Sequence, residues 1–159
     1  MADADKVKVD AIVVGGGPAG LAAAFTMAKA GLEVILMERG EYAGSKNMGG
    51  LFYGTVLNQL IPNFYEKAPI ERTVSRRSIS YLGDGQQAAV TFGSEAWSSA
   101  PFNNTFIVYR AQFDRWLAKE VEQAGANLLE GTVVDDLIYE GEGAAKKAVG
   151  VRVRGNEEF

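Results

Sequence analysis

The sequence predicts an α/β fold that opens with a βαβ unit, and three successive segments carry this prediction. Residues 7–14 form a β-prone run, residues 21–30 favour a helix, and residues 33–37 form a second apolar, β-prone run. A change from strand to helix and back to strand is typical of two parallel strands joined by a crossover helix. Gly31 follows the helical segment, at the place where a glycine commonly ends a helix.

The turn between the first strand and the helix has the glycine spacing G-x-G-x-x-G. The first glycine of this pattern permits a tight turn, the second lets the backbone approach phosphate oxygens, and the third lets helix and strand pack closely. Proline is acceptable in a first helical turn, and the N–H groups there attract anions. We therefore predict a turn that binds the pyrophosphate of a dinucleotide through Gly15, Gly17, Pro18, Ala19 and Gly20.

An acidic residue, Glu38, ends the second strand about twenty residues beyond these glycines. A carboxylate at this place would accept hydrogen bonds from the hydroxyls of a ribose. The alternative is a glycine-rich turn that is followed by an ordinary acidic surface residue. The complete order of strand, turn, helix, strand and carboxylate favours the nucleotide site over that alternative.

The composition is that of a globular protein and leaves few sources of chemistry. Of the 159 residues, 47% are hydrophobic and 23% are charged, which suits one domain with its own core. The formal net charge of -4 argues against nucleic acid as a partner. The sequence has no cysteine and no histidine, so we expect no disulfide, iron–sulfur cluster or metal site. Any chemistry must come from a cofactor or from carboxylates, lysines and tyrosines.

Neither end of the sequence nor its interior has the hydropathy of a targeting or membrane segment. Residues 1–6 are polar and lack the apolar core of a secretory signal. The longest apolar stretches fall short of the ~20 residues that span a bilayer. We therefore expect a cytoplasmic chain.

Residues 39–50 are rich in glycine and follow neither a helical nor a strand period, which predicts a long loop. The loop begins at the carboxyl end of the second strand, where open α/β sheets bind their ligands. We predict that Lys46 and Asn47 contact a cofactor and that Gly49 and Gly50 permit close approach of the backbone. The alternative is a connector with one solvated lysine.

The middle of the sequence predicts a helix followed by a hairpin. Residues 51–61 have near-helical apolar spacing, and Pro62 ends the pattern. Residues 73–82 and 86–92 flank a Gly-Asp-Gly turn, which indicates a β-hairpin. We interpret residues 51–105 as an insertion, within a domain of residues 1–159, that contributes to a substrate-facing layer. The large aromatic side chains here are expected to pack in a core rather than stack on a ligand: Trp97, Phe102, Phe106 and Tyr109.

The last part of the sequence returns to a regular pattern. Residues 106–110 predict a strand, and residues 111–124 predict a helix that has its apolar positions on one face and that Gly125 closes. Three further strands are predicted at residues 127–130, 132–139 and 148–153. The last two should pair antiparallel, which is typical of a β-meander that crosses one face of a parallel sheet.

Six segments together resemble the amino-terminal third of FixC-like flavoproteins, which are relatives of the electron transfer flavoprotein-quinone oxidoreductases. The glycine turn is shared by very many flavoproteins, but a Ser-Lys-Asn-Met segment followed by Ala-Pro-Ile-Glu-Arg is far more restrictive. The segments are residues 15–20, 38–40, 44–48, 61–62, 68–72 and 110–117. The resemblance implies a glutathione-reductase-type Rossmann domain for FAD, with a parallel sheet and an antiparallel β-meander. Because family members continue well beyond this length, we expect the domain to be incomplete.

The resemblance also assigns roles to single residues. In this family the glycine turn lines the FAD pyrophosphate, and the residue matching Glu38 holds the adenosine ribose. Arg39 and Lys46 match positions near the cofactor. Arg110 matches an arginine that contacts the ribityl-phosphate region, and Val134 matches a valine whose backbone reads adenine.

The function that the resemblance implies is an FAD-dependent oxidoreductase. It would accept electrons from electron transfer flavoprotein and pass them to quinone or ferredoxin, with a ferredoxin-like subunit as a further partner and a peripheral place at the inner face of the membrane. The alternatives are a non-catalytic module that binds FAD or ADP, and an enzyme of the geranylgeranyl-reductase or flavin-hydroxylase type. We expect the fragment alone to be inactive, and to self-associate or require a completing chain, because an incomplete sheet leaves an exposed edge.

Overall fold

A computed structural model describes residues 7–45, 48–102 and 104–155. The chain divides into two compact units, which we call the first unit, Met1–Asn47 with Asp114–Phe159, and the second unit, Met48–Phe113. In chain order, the helices and strands are β1 (Ala11–Val14), α1 (Pro18–Lys29), β2 (Val34–Glu38), β3 (Gly49–Tyr53), α2 (Gly54–Leu60), β4 (Arg72–Val74), β5 (Arg76–Gly83), β6 (Gln86–Gly93), β7 (Thr105–Tyr109), α3 (Arg110–Gln123), β8 (Asn127–Glu130), β9 (Val134–Glu140) and β10 (Lys147–Val153).

The first unit is built on a parallel sheet in the order β1-β2-β8. The central strand β2 is apolar at four consecutive positions, all of them buried, because a central parallel strand is covered on both faces. The predicted βαβ unit is therefore confirmed. The helix α1 buries Leu21, Ala24, Phe25 and Ala28, which lie on one face at helical spacing.

The ends of α1 follow from two residues. The helix begins at Pro18, as expected for a proline in the first turn, since Gly17 takes an extended conformation and the fixed φ of proline suits the first helical position. It ends before Gly31, whose φ of +85° is the left-handed conformation that glycine adopts most readily.

The antiparallel pair that was predicted at the end of the chain is confirmed, since β9 and β10 pair antiparallel. Val151 and Val153 of β10 form a buried cluster with Ile35 and Met37 of β2. The β9–β10 hairpin therefore packs on the parallel sheet, as expected for a meander. The predicted strand at 132–139 begins two positions later, at Val134, which pairs with Val153.

The second unit contains a three-stranded antiparallel sheet in the order β3-β7-β4 and a separate hairpin of β5 and β6. The hairpin is confirmed, with Gly85 in its turn at a φ of +68°. The predicted helix over residues 51–61 is wrong at its start. Gly49–Tyr53 is a strand that pairs with β7, and the helix covers only Gly54–Leu60. Leu51 was one of the apolar positions whose spacing predicted the helix, but it lies on that strand and is exposed.

An edge-to-face aromatic cluster forms part of the core of the second unit. The ring of Phe106 lies 5.1 Å from Phe64 and 5.7 Å from Phe102, measured between centroids. The packing role predicted for Phe102 and Phe106 is confirmed, and Trp97 is half-buried. The prediction is wrong for Tyr109, which is 56% exposed because it alternates with buried Val108 along β7.

None of the helices within the described ranges has the length and hydropathy that a membrane crossing requires.

Replacing Gly54 by alanine should destabilise the chain. A Cβ there would lie 2.6 Å from the ring of Phe106 and would overlap the carbonyl oxygen of Phe102. Alanine normally favours a helix, but this overlap must move a buried ring, so we expect the free energy of unfolding to fall by about 1–3 kcal/mol. Chemical denaturation measures it.

Gly83→Ala is the matched control, because no described atom lies within 4 Å of a Cβ at that position. It should change the free energy of unfolding by less than about 0.5 kcal/mol. Equal stability of Gly54→Ala and the wild type would show that the packing around Gly54 is looser than described.

Candidate nucleotide site

The carboxyl ends of the three parallel strands of the first unit meet at one edge of the sheet. Val14 ends β1, Glu38 ends β2 and Glu130 ends β8, and Glu38 is paired in register with Glu130. Open parallel sheets bind ligands at this edge because the loops that leave the strands converge there. The predicted glycine turn and the predicted ribose-binding carboxylate both lie at this edge.

The glycine turn has the geometry that its spacing predicts. Gly15 has a φ of +108°, and its N–H donates to the carbonyl oxygen of Met37 at 2.7 Å. A Cβ at Gly20 would overlap the carbonyl oxygen of Gly15, so the turn and the helix can approach this closely only with glycine at position 20. Gly17 is extended, and its Cβ position has no described atom within 4 Å. The first and third glycines therefore shape the turn, and the second faces open space.

The N-terminus of α1 leaves its backbone donors available for an anion. Gly17 is the N-cap, and no described side chain caps this end or places an acidic group in the first turn. Pro18 takes the first position, and Ala19 is exposed. The positive end of a helix with unsatisfied N–H groups is a favourable place for a phosphate.

The Glu38 carboxylate joins the glycine turn to the loop that follows β2. Its Oε2 accepts a hydrogen bond from the Gly16 N–H at 2.7 Å, and its Oε1 accepts one from the Gly40 N–H at 2.6 Å. Each carboxylate oxygen has a second lone pair, so the group can also accept hydrogen bonds from ribose hydroxyls. Gly16 and Gly40 were not among the predicted site residues. The signal that the sequence offered for them was the glycine at each position.

The remaining predicted residues of the first unit lie near the same sheet. Arg39 follows Glu38 directly and is exposed. Val134 is the first residue of β9 and is half-buried against the Ile35–Met37–Val151–Val153 cluster. Lys46 and Asn47 lie outside the described residues.

Three of the predicted site residues, Gly49, Gly50 and Arg110, belong to the second unit and lie close to one another there. Gly49 and Gly50 are in β3, paired with Tyr109 and Val108, so the prediction that they lie in a loop is wrong. Arg110 begins α3, and its N–H donates to the carbonyl oxygen of Met48 at 2.9 Å. The Arg110 side chain passes 3.3 Å from the position of a Cβ on Gly50. The missing side chain of Gly50 therefore makes room for the arginine.

The third glycine of the motif should respond differently to alanine than the middle one. Gly20→Ala places a methyl group against the Gly15 carbonyl, so we expect it to lower the free energy of unfolding by about 1–3 kcal/mol. Gly17→Ala meets no described atom within 4 Å and should stay within about 0.5 kcal/mol of the wild type. Denaturation curves of the two variants without nucleotide test this, and equal midpoints would contradict it.

Comparisons with known proteins show the family to which the chain belongs. The model of the family described as FAD dependent oxidoreductase matches residues 10–158. A protein of Escherichia coli K12 called probable electron transfer flavoprotein-quinone oxidoreductase YdiS is 45% identical over 84% of this chain and 31% of its own length. Protein FixC of Azorhizobium caulinodans is 41% identical over 91% of this chain and 33% of its own length. The chain thus spans about a third of the length of these curated relatives.

Two solved structures share the fold over nearly the whole chain. The myxobacterial chondrochloren halogenase CndH, an FAD-dependent enzyme, superimposes with a TM-score of 0.71 and 27% identity, covering 95% of this chain and 34% of its own. A geranylgeranyl bacteriochlorophyll reductase-like protein of Thermoplasma acidophilum gives a TM-score of 0.69 and 25% identity, covering 94% of this chain and 36% of its own. The glycine turn, the Glu38 carboxylate and the uncapped helix fit the ADP half of FAD, and the chain belongs to the FAD-dependent oxidoreductase family.

Proposed function

We propose that this chain supplies the part of an electron-transferring flavoprotein that holds the ADP half of FAD. The observation that carries the proposal is the Glu38 carboxylate, which is fixed by the N–H groups of Gly16 and Gly40 beside an uncapped helix N-terminus. A phosphate group and a ribose lie next to each other in ADP, and here a phosphate site and a carboxylate lie next to each other. The pairing supports an adenine dinucleotide rather than an isolated phosphate.

Each residue of the turn has a distinct task in this proposal. The N–H groups of Ala19 and Gly20 hold the pyrophosphate, Gly17 leaves space for it, and Gly15 and Gly20 set the close approach. Pro18 is the first residue of the helix, where its fixed φ is suitable. Because proline has no N–H, the donors for a phosphate come from the residues that follow it. Glu38 accepts from the adenosine ribose, and the Val134 backbone faces the adenine.

We propose further cofactor contacts for three cations, for Asn47 and for the Gly49 backbone. We assign Arg39 and Lys46 to charge compensation around the cofactor, and Asn47 to its polar groups. Arg110 is assigned to the ribityl-phosphate region, where its position across Gly50 would order the guanidinium; the Gly49 backbone would lie close to the same region. When bound, FAD supplies the redox chemistry, and the protein supplies binding, orientation and electrostatics. The β5–β6 hairpin and α2 contribute to a substrate-facing layer.

For the whole protein we propose electron transfer from electron transfer flavoprotein to quinone or ferredoxin. Relatives named FixC and electron transfer flavoprotein-quinone oxidoreductase, at 41% and 45% identity, support this class. A cytoplasmic location at the inner face of the membrane and a separate ferredoxin-like subunit would suit such a reaction. A reductase of the geranylgeranyl type is the second candidate, since a protein with that description shares the fold at 25% identity.

Gly17→Val should abolish nucleotide binding while leaving the chain folded. A Cβ at this position meets no described atom within 4 Å, and the larger side chain of valine fills the space that a pyrophosphate would need. Isothermal titration with FAD and with ADP, together with circular dichroism, measures both effects. Unchanged affinity in this variant would overturn the phosphate assignment.

Glu38→Ala should weaken ADP binding by about 1–3 kcal/mol, because it removes a charged acceptor of hydrogen bonds. Glu33→Ala is the control, since it removes the same charge just before the opposite end of β2. We expect the control to bind like the wild type. Equal losses in the two variants would indicate a general charge effect rather than a ribose contact.

The electron donor is tested on the polypeptide of the complete reading frame, loaded with FAD. Reduced electron transfer flavoprotein should bleach its flavin absorbance in stopped-flow mixing, whereas NADH should not. Reduction by a nicotinamide cofactor alone would favour the reductase candidate.

A further inference from the structure

The loop of residues 39–45, which follows Glu38, is held in place by two contacts from other parts of the first unit. The N–H of buried Ala43 donates to Glu130 Oε1 at 2.8 Å. The guanidinium of Arg115 lies 3.7 Å from the ring centroid of Tyr42, which is a close cation–π distance. Within the loop, the Ser45 N–H donates to the Tyr42 carbonyl oxygen at 3.1 Å. The 39–45 loop is thus fixed by a carboxylate and by an aromatic stack.

Glu130 is also tied to the loop through the backbone that follows it. The N–H of Gly131 donates to the carbonyl oxygen of Gly40 at 2.8 Å, and the N–H of Thr132 donates to that of Glu38 at 2.9 Å. The end of β8 therefore holds both Glu38 and Gly40 from one side, while the Glu130 side chain holds Ala43.

The position of Gly40 determines where the Glu38 carboxylate lies. Gly40 is buried, and its N–H donates to Glu38 Oε1 at 2.6 Å. A Cβ on Gly40 would lie 2.9 Å from the same oxygen and would overlap the Ser45 hydroxyl. A shift of the loop would therefore lengthen the Gly40–Glu38 hydrogen bond and leave the carboxylate held by the Gly16 N–H alone.

The register pairs Glu38 with Glu130, so two acidic residues end neighbouring strands at one edge of the sheet. Like charges that lie close together repel unless donors compensate them. Glu38 accepts from two backbone N–H groups, and Glu130 accepts from that of Ala43. Arg115 and Lys119 line the same cleft of about 390 Å³ as Glu130, so the cleft supplies positive charge as well. The structure therefore accommodates an acidic residue at the end of β8.

We propose that Glu130 is a positioning residue for the adenosine ribose. By holding Ala43 it fixes the 39–45 loop, which keeps the Gly40 N–H on Glu38 and aims the remaining lone pairs of that carboxylate at the ribose. The inference rests on the proposed function of the site. It adds a residue that is 87 positions away from Ala43 along the chain.

Three variants of the 159-residue chain test this: Glu130→Ala, Glu130→Gln and Glu122→Ala. Glu122 lines the same cleft, so its variant removes the same charge while leaving the Glu130–Ala43 bond in place. The readouts are the dissociation constant of ADP by calorimetry and the amide resonances of Gly16 and Gly40 without nucleotide. An amide that donates to a carboxylate reports any change in that bond, which a general loss of stability would not produce.

Glu130→Ala should weaken ADP binding about five- to tenfold and shift both glycine resonances, as expected for the loss of one hydrogen bond with a charged acceptor. Glu130→Gln should restore most of the affinity and both resonances, because its amide oxygen still accepts from Ala43. Glu122→Ala should match the wild type in both readouts. If Glu130→Ala unfolds, Glu130→Leu takes its place, because it fills the space but has no oxygen to accept from the Ala43 N–H. It should show the same loss of affinity and the same shifts, and wild-type behaviour of this variant overturns the inference.

The inference is overturned if Glu130→Ala binds ADP like the wild type, or if its affinity falls while the resonances of Gly16 and Gly40 stay in place. It is also overturned if Glu130→Gln loses as much affinity as Glu130→Ala. Failure of the wild-type chain to bind ADP would instead overturn the proposed function, and this inference with it. The two failures are therefore distinguishable.

Discussion

The Glu38 carboxylate is the interaction on which the candidate site depends. A half-buried charge needs hydrogen-bond donors, and the nearest ones are backbone N–H groups of the glycine turn and of the loop after β2. Because one oxygen takes a donor from each segment, the two segments cannot move independently. The carboxylate thus sets the width of the space between the glycine turn and the loop, before any nucleotide is present.

The topology of the sheet explains why the Glu38 carboxylate lies next to the glycine turn. In a parallel sheet all carboxyl ends meet at one edge, and β2 is the central strand of three. Its apolar residues are anchored on one face by the valines of β10, which fixes the strand that ends at Glu38. Burial of this strand and placement of its last residue are therefore linked, and the core supports the site directly.

Much of the first unit could be predicted from the sequence because its signals are local. The glycine spacing, the helix over residues 18–29 and the run that ends at Glu38 each occupy a short window, and the motif has a known geometry. The contact between Ala43 and Glu130 could not be predicted in this way, since it joins residues far apart in the sequence. An acidic residue at the end of a third apolar strand was its only signal.

The second unit was harder to predict for a related reason. Leu51–Tyr53 has aliphatic and aromatic residues that fit either a helix or a strand, and only pairing with β7, more than fifty residues later, decides for the strand. The exposure of Tyr109 was difficult to predict for the same reason, because which face of β7 is buried depends on the elements that pack against that strand. Gly50 illustrates a third case, in which a glycine serves a neighbouring side chain, Arg110, rather than a turn.

The most direct measurement of the central claim is a titration of the ¹⁵N-labelled chain with ADP, followed by the amide resonances of every assigned residue. If the glycine turn and the Glu38 carboxylate hold the nucleotide, the largest shifts will fall on the amides of residues 15–17, 19–20 and 40, with smaller shifts at Val134. Shifts confined to residues 48–113, or no shifts at millimolar ADP, would contradict the account.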